Sequence, residues 1–275
     1  MEPQVGASGS RSTDNPMAAV RRSFETLRCF VPENVWLSHG EIARRTRIPK
    51  ATMTRLVRTL TELGYLNYDP DSRRYSLAAA TVPFGQSYLK SIDLRGIARP
   101  LMLKLARELN ANVHLGVRSG LEIMLVESCL NPSGYALISL GIGSTVPIEA
   151  NSLGRAYIAS AADAEREEIF AALRERYGQR WPQLEDRLID STSDYRRLGY
   201  AKSFGEWRSD QNGIAVALLG TDSSKPYVIN CGGAAFHLSE EYLLKSAVPK
   251  LLALARHVSR LWKHASVATD TLAHT

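Results

Sequence analysis

Cysteine is scarce in this 275-residue chain: Cys29, Cys129 and Cys231 are odd in number and about a hundred residues apart. That spacing excludes a disulfide framework and a zinc cluster, and it suits buried thiols in a reducing compartment. Long apolar runs are missing too. The run Ile214-Ala-Val-Ala-Leu-Leu219 is far short of the roughly 20 residues that cross a bilayer. The first ten residues have neither the basic start nor the apolar stretch of a secretory leader, so the expected location is cytoplasmic.

Catalytic signatures are also lacking. There is no Gly-x-Ser-x-Gly elbow, no complete dinucleotide fingerprint, no phosphate loop and no His-Glu-x-x-His. Gly141-Ile-Gly143 supplies only part of a dinucleotide motif, and Ser-Thr-Val-Pro follows it. His39 sits at a helix start, His264 and His274 lie near the C-terminus, and His114, His237 and His257 are scattered singly. Glu122 and Glu127 have no paired acid. The reading is a non-enzyme without cofactor or metal.

What is present is charge, unevenly spread. The net charge is +6, but residues 1–95 hold 14 Lys/Arg against 9 Asp/Glu while residues 96–275 hold 20 against 19. The basic excess therefore belongs to the first third.

Residues 1–16, rich in Gly, Ser and Pro, read as a flexible tail. Val20, Phe24, Leu27 and Phe30 or Val31 mark an amphipathic first helix. Residues 17–78 read as one compact, mostly helical domain, 79–96 as a linking helix, 97–265 as an α+β domain and 266–275 as a second tail. Strands are expected at 112–117, 122–127, 136–140, 213–219 and 226–231, and a closing helix at 243–262.

The sharpest local signal is Ser38 followed three residues later by Glu41, a capping box, with Leu37 and Ile42 as its hydrophobic staple. A helix starting there ends at Thr46-Arg-Ile48, and Pro49 suits the start of another. Two helices so joined form a helix-turn-helix. In the second helix Met53, Leu56, Val57, Leu60 and Leu63 mark a buried face, leaving Lys50, Ala51, Thr52, Thr54, Arg55, Arg58 and Thr59 outward. Such side chains read a major groove. Arg44 and Arg45 add to a run, residues 44–58, that has six basic residues and no acidic one. After Gly64, two short strands around Asp69-Pro-Asp-Ser form a hairpin whose tip carries Arg73 and Arg74, a wing against the phosphate backbone or minor groove. A basic face or a capping box alone is usually a solvated helix, but their conjunction in this order points to double-stranded operator DNA.

These residues also resemble a known family. Ile42-Ala-Arg-Arg-Thr-Arg-Ile-Pro-Lys-Ala-Thr-Met-Thr-Arg-Leu56, continued by Leu60 and Leu63-Gly-Tyr-Leu66, is similar to the winged helix-turn-helix of the isocitrate lyase regulator (IclR) family of bacterial transcription factors. Gly141, Pro147 and Ala150-Asn-Ser-Leu-Gly-Arg-Ala-Tyr-Ile-Ala159 resemble that family's small-residue segment; Leu198-Gly-Tyr200, Glu206 and Gly213-Ile-Ala-Val216 resemble its later ones. The resemblance runs from about Met17 to Trp262. It implies a winged helix-turn-helix joined by a linker helix to a GAF-like effector-binding domain, in a dimer or a dimer of dimers, with an organic or aromatic acid as effector.

Carried over segment by segment, the effector positions are Ser152, Leu153, Ser203, Gln211, Gly213, Asn230 and Gly232, with Asn151 beside them. Positions where the acid-sensing pattern has Asp, Cys and paired Ser hold Ser203, Gly213, Asn230 and Gly232 here, so the effector need not be a small keto acid. Asn230 and Gly232, two apart on a strand, face one side. Amides at a helix start near Leu153 favour a carboxylate. Arg155 is either its counter-ion or a structural residue. A purely architectural DNA-binding protein would not need so large a second domain, and no Cys/His cluster supports metal sensing.

Overall fold

The structure is a computed structural model that describes residues 16–31, 36–130, 140–220 and 225–273. It divides into two compact units, 1–87 and 88–275.

In the first unit, α1 (Pro16–Arg28) precedes β1 (Leu37–Ser38), α2 (His39–Thr46), α3 (Lys50–Glu62), β2 (Leu66–Asp69) and β3 (Arg74–Leu77). The capping box forms as expected: Ser38 N–H donates to Glu41 Oε2 at 2.7 Å and Glu41 N–H to Ser38 Oγ at 3.3 Å. The staple residues Leu37 and Ile42 are both buried. Arg47 ends α2 at φ 56°, so the turn to Pro49 takes a left-handed residue. After α3, Tyr65 N–H reaches Leu60 O and Gly64 N–H reaches Thr61 O, a Schellman closure with Gly64 at φ 76°. That closure swings Leu63 out to 62% exposure, correcting its expected place on the buried face; Met53, Val57 and Leu60 hold theirs.

Two further expectations change. Leu37–Ser38 pairs antiparallel with β3, so the wing sheet has three strands in the order β1-β3-β2. The buried edge of α1 is Thr26 with the half-buried Leu27, continued by Phe30 in the turn beyond it, whereas Val20 and Phe24 are 54% and 63% exposed. At 100° per residue these sets occupy two edges of a broad apolar arc, and the core takes only one.

Helix α4 (Val82–Lys90) carries the chain between units. In the second unit, α5 (Asp93–Leu109) leads into β4 (Asn112–Ser119) and β5 (Glu122–Cys129), then β6 (Thr145–Pro147). Three helices follow, α6 (Ser152–Ser160), α7 (Asp163–Tyr177) and α8 (Trp181–Leu198), then β7 (Ala201–Phe204), β8 (Gln211–Leu218) and β9 (Tyr227–Ala234). The short α9 (Glu240–Tyr242) passes through a π-helical turn into α10 (Val248–Ala273), beyond the expected end at Trp262 and into the segment read as a tail. The expected boundary at Gly96 falls inside α5, because Leu94 and Ala98 are already buried in the second core. The strand expected at 136–140 lies outside the described residues apart from Leu140, as does the tail 1–16 apart from Pro16.

The six strands form an antiparallel sheet in the order β6-β5-β4-β9-β8-β7. This is the α+β, GAF-like layout. Alternation sorts the side chains: Val113, Leu115, Ile214, Val216, Ile229 and Cys231 pack with α5 and α10, and Ala201, Ala215 and Val228 pack with α6 and α8. Each fully buried Leu or Ile contributes about 1.5–3 kcal/mol. The second face also carries the polar residues that follow.

Candidate functional site

In the first unit, α3 presents Lys50, Ala51, Thr54, Arg55, Arg58 and Thr59 to solvent, with Thr52 half-buried. Thr54 Oγ1 lies 3.0 Å from Lys50 O and 3.0 Å from His39 Nε2, so α2 contributes His39 to this face, a residue the sequence reading left out. Arg58 pairs with Glu62 at 2.9 Å along the exposed helix, an interaction weak enough to give way to a phosphate. Arg44 is exposed, whereas Arg45 is anchored on Cys29 O at 3.0 Å and braces α2 to α1.

The wing turn is built by Asp69, whose carboxylate accepts from the amides of Asp71 and Ser72. Those bonds, with the Ser72 hydroxyl, hold its carboxyl below the usual range. Arg73 stands exposed at the tip at φ 52°. Arg74 turns back instead: it donates to Trp36 O at 3.1 Å and lies 3.7 Å from Glu41. The tip therefore has one outward arginine, because the residue before β1 and the first turn of α2 supply partners for the other.

In the second unit one cavity of about 60 Å³ gathers all eight expected residues, Asn151, Ser152, Leu153, Ser203, Gln211, Gly213, Asn230 and Gly232. Its floor is two rows across the sheet. Ser203, Gly213, Gly232 and Asn112 are successive partners, and the next row runs Ala201, Ala215, Asn230, His114 and Ser128. Its roof is the N-terminus of α6. Asn151 is the cap, its Oδ1 taking Gly154 N–H at 3.1 Å while its Nδ2 donates to Pro147 O. Both its ends are thus engaged in structure. The amides of Ser152 and Leu153 precede the first intrahelical bond and face the cavity end.

The two glycines act through space. A Cβ at Gly213 would come 3.1 Å from Ser152 Oγ, and one at Gly232 would come 2.6 Å from Asn212 O. The bare position at Gly213 gives α6 room to sit on the sheet, and that at Gly232 gives room to the backbone of β8. Arg155, the alternative counter-ion, points elsewhere: its guanidinium grips Glu206 through 2.7 and 2.6 Å bonds and Lys202 O at 3.0 Å. That pairing holds the Glu206 carboxyl below its ordinary range, and Arg155 is structural.

His114, Asn112, Asn212, Trp207 and Val146 also line the cavity and were not foreseen. His114 is 4% exposed, and burial pushes its pKa down to about 4. Among the described residues no Asp, Glu, Lys or Arg lines the cavity. Cys129 and Cys231 are buried free thiols, the latter pushed up to about 12 by burial.

A capped helix-turn-helix with a basic second helix and a wing, in a chain whose other unit encloses a polar cavity, defines a ligand-responsive DNA-binding regulator. The comparisons agree. The IclR helix-turn-helix domain matches residues 19–70, and the bacterial transcriptional regulator IclR C-terminal domain matches residues 86–260. The chain belongs to the IclR family of transcriptional regulators. It is 31% identical over 216 residues to the HTH-type transcriptional regulator TsaQ1/TsaQ2 of Comamonas testosteroni, covering 78% of this chain and 77% of that one. An IclR family transcriptional regulator from Brucella abortus has a similar crystal structure, at TM-score 0.78 and 34% identity over 89% of this chain and 92% of that one. An IclR homologue of Microbacterium hydrocarbonoxydans, solved with 4-hydroxybenzoate, shares the fold at TM-score 0.71 and 20% identity, covering 90% of this chain and 99% of that one.

Proposed function

We propose that this protein reads operator DNA through α3 and the Arg73 wing, and that a small organic acid in the α6–sheet cavity alters its grip. The observation that carries this reading is the cavity itself. Eight residues from four separate segments of chain converge on one space, and it pairs uncharged hydrogen-bonding groups with the N-terminus of a helix. A carboxylate is held well there without a counter-ion, because backbone amides and the helix dipole supply the positive end. The homologue solved with 4-hydroxybenzoate supports an acid as the class of ligand.

The working unit is a two-fold dimer or a pair of dimers in the cytoplasm. Met17, Val20 and Phe24 leave one apolar edge of α1 exposed, at 74%, 54% and 63%, a face suited to a second copy. No helix among the described residues is long and apolar enough to cross a membrane. Two-fold symmetry calls for half-sites roughly 34 Å, or a multiple of that, apart.

The test is fluorescence anisotropy on the protein's own upstream DNA, titrated with a panel of organic and aromatic acids. Operator affinity should shift by about tenfold with at least one acid, the scale of an ordinary allosteric coupling. Tight operator binding that no acid changes would leave a DNA-binding protein without a sensor. Footprinting that finds a single asymmetric half-site would refute the dimer.

A further inference from the structure

The hydrogen bonds around His114 fix what this cavity can recognise. Ser128 Oγ lies 2.8 Å from Leu140 O, and because a carbonyl only accepts, the Ser128 hydroxyl proton is committed there. Ser128 Oγ also lies 3.0 Å from His114 Nδ1. With its own proton spent, Ser128 can only accept, so Nδ1 carries the imidazole hydrogen. A neutral ring with hydrogen on Nδ1 has a bare lone pair on Nε2. That atom has no hydrogen-bond partner among the described residues, although the residue is 96% buried and lines the cavity. Burial holds the ring's pKa near 4, so Nε2 stays an acceptor at neutral pH.

The opposite wall is a donor. The α6 amides of Ser152 and Leu153 form that wall, at the roof; on the floor beside His114, Asn230, whose Oδ1 accepts His114 N–H at 3.1 Å, keeps its Nδ2 hydrogens to donate. A ligand that satisfies both walls needs an anion or carbonyl at one end and a hydroxyl hydrogen at the other. We infer that the effector is a hydroxy acid, its carboxylate on the N-terminus of α6 and its hydroxyl donating to His114 Nε2. The volume of about 60 Å³ is less than half of the roughly 150 Å³ that takes up benzene, which selects a short-chain acid over an aromatic one. This rests on the acid-sensing reading of the same cavity and adds the hydroxyl and the size.

The experiment compares matched pairs, glycolate with acetate, lactate with propionate and 4-hydroxybenzoate with benzoate, by thermal shift and calorimetric titration of the full-length protein. The hydroxylated short acid should bind about tenfold or more tightly than its partner, since the unhydroxylated acid leaves a buried acceptor unmade. In His114→Phe that ratio should fall to about one. Equal binding within the short pairs, or a ratio that survives His114→Phe, overturns the inference while leaving an acid sensor intact. Discrimination confined to the aromatic pair overturns the size assignment, and no response to any acid overturns the acid-sensing reading as well. Should His114→Phe fail to fold, the ring's nitrogen resonances in the wild-type protein decide: hydrogen on Nε2 at pH 7 would refute the argument, and hydrogen on Nδ1 supports it.

Discussion

Replacing Gly154 by alanine sets two opposed effects against each other. In a helix interior Gly→Ala normally stabilises, by about 1 kcal/mol, because alanine loses less backbone entropy. Here the added Cβ would stand 1.8 Å from Ile148 O, 2.4 Å from its carbonyl carbon and 2.5 Å from its Cα. Reaching an ordinary 3.4 Å contact requires about 1.6 Å of movement between two backbone segments. Ile148 is fully buried and Leu153 nearly so, which leaves no slack on either side. Overpacking a tight core costs about 1–3 kcal/mol, occasionally more, and a backbone-on-backbone clash belongs at the top of that range. The net loss is about 2 kcal/mol or more, a fall in Tm of roughly 4–8 °C for a unit of this size. Gly213→Ala is the control: its one tight Cβ contact is the rotatable Ser152 hydroxyl at 3.1 Å, with backbone no nearer than 3.7 Å, so Tm should change little while the cavity narrows. Thermal unfolding of both variants decides the matter, and a Gly154→Ala protein as stable as wild type would refute the account of how α6 is seated.

Arg55→Ala should weaken operator binding by about 1–3 kcal/mol with little effect on random DNA, whereas Arg73→Ala should weaken both and lower the salt slope by about one; anisotropy across a salt series separates the two roles. Glu127, 1% exposed, takes Arg95 at 3.0 Å and Arg99 at 2.5 Å. Glu127→Ala strands the more buried Arg95 and should cost about 3–5 kcal/mol in chemical denaturation, against under about 1 kcal/mol for Arg99→Ala, whose side chain is half exposed. The buried His114 is held neutral down to about pH 4, below the ordinary 6.5. The unfolded chain therefore binds the extra proton first, and stability is full above pH 6.5 and lost as pH falls toward 4, by up to about 3 kcal/mol. His114→Phe should flatten that part of the denaturation profile, and an unaltered profile would count against a buried neutral ring.

Local chemistry was the legible part of the sequence. The Ser38–Glu41 box, the Pro49 start and the Gly64 stop each involve neighbours within a few residues, and each forms as read. Pairings between distant segments were not legible. Leu37–Ser38 becomes a strand only because β3 returns beside it, and that return turns Arg74 away from the wing tip. His114 looked like an isolated histidine because its partners, Ser128 and Asn230, are set by the register of β5 and β9. Arg155 was ambiguous for the same reason, since Glu206 lies 51 residues away. Seven of the eight cavity positions come from segment resemblance and Asn151 from its place beside Ser152, whereas spacing alone finds only the shared face of Asn230 and Gly232.

The glycine pair on the cavity floor makes effector size an unequal trait to evolve. Gly232 is locked, since any side chain there strikes the Asn212 backbone, while Gly213 faces a hydroxyl that can rotate away. A lineage can therefore shorten its ligand in one mutational step at position 213. Lengthening it means cutting back the walls, at Trp207 outside the strands or at Val146, which is itself buried in the core on β6.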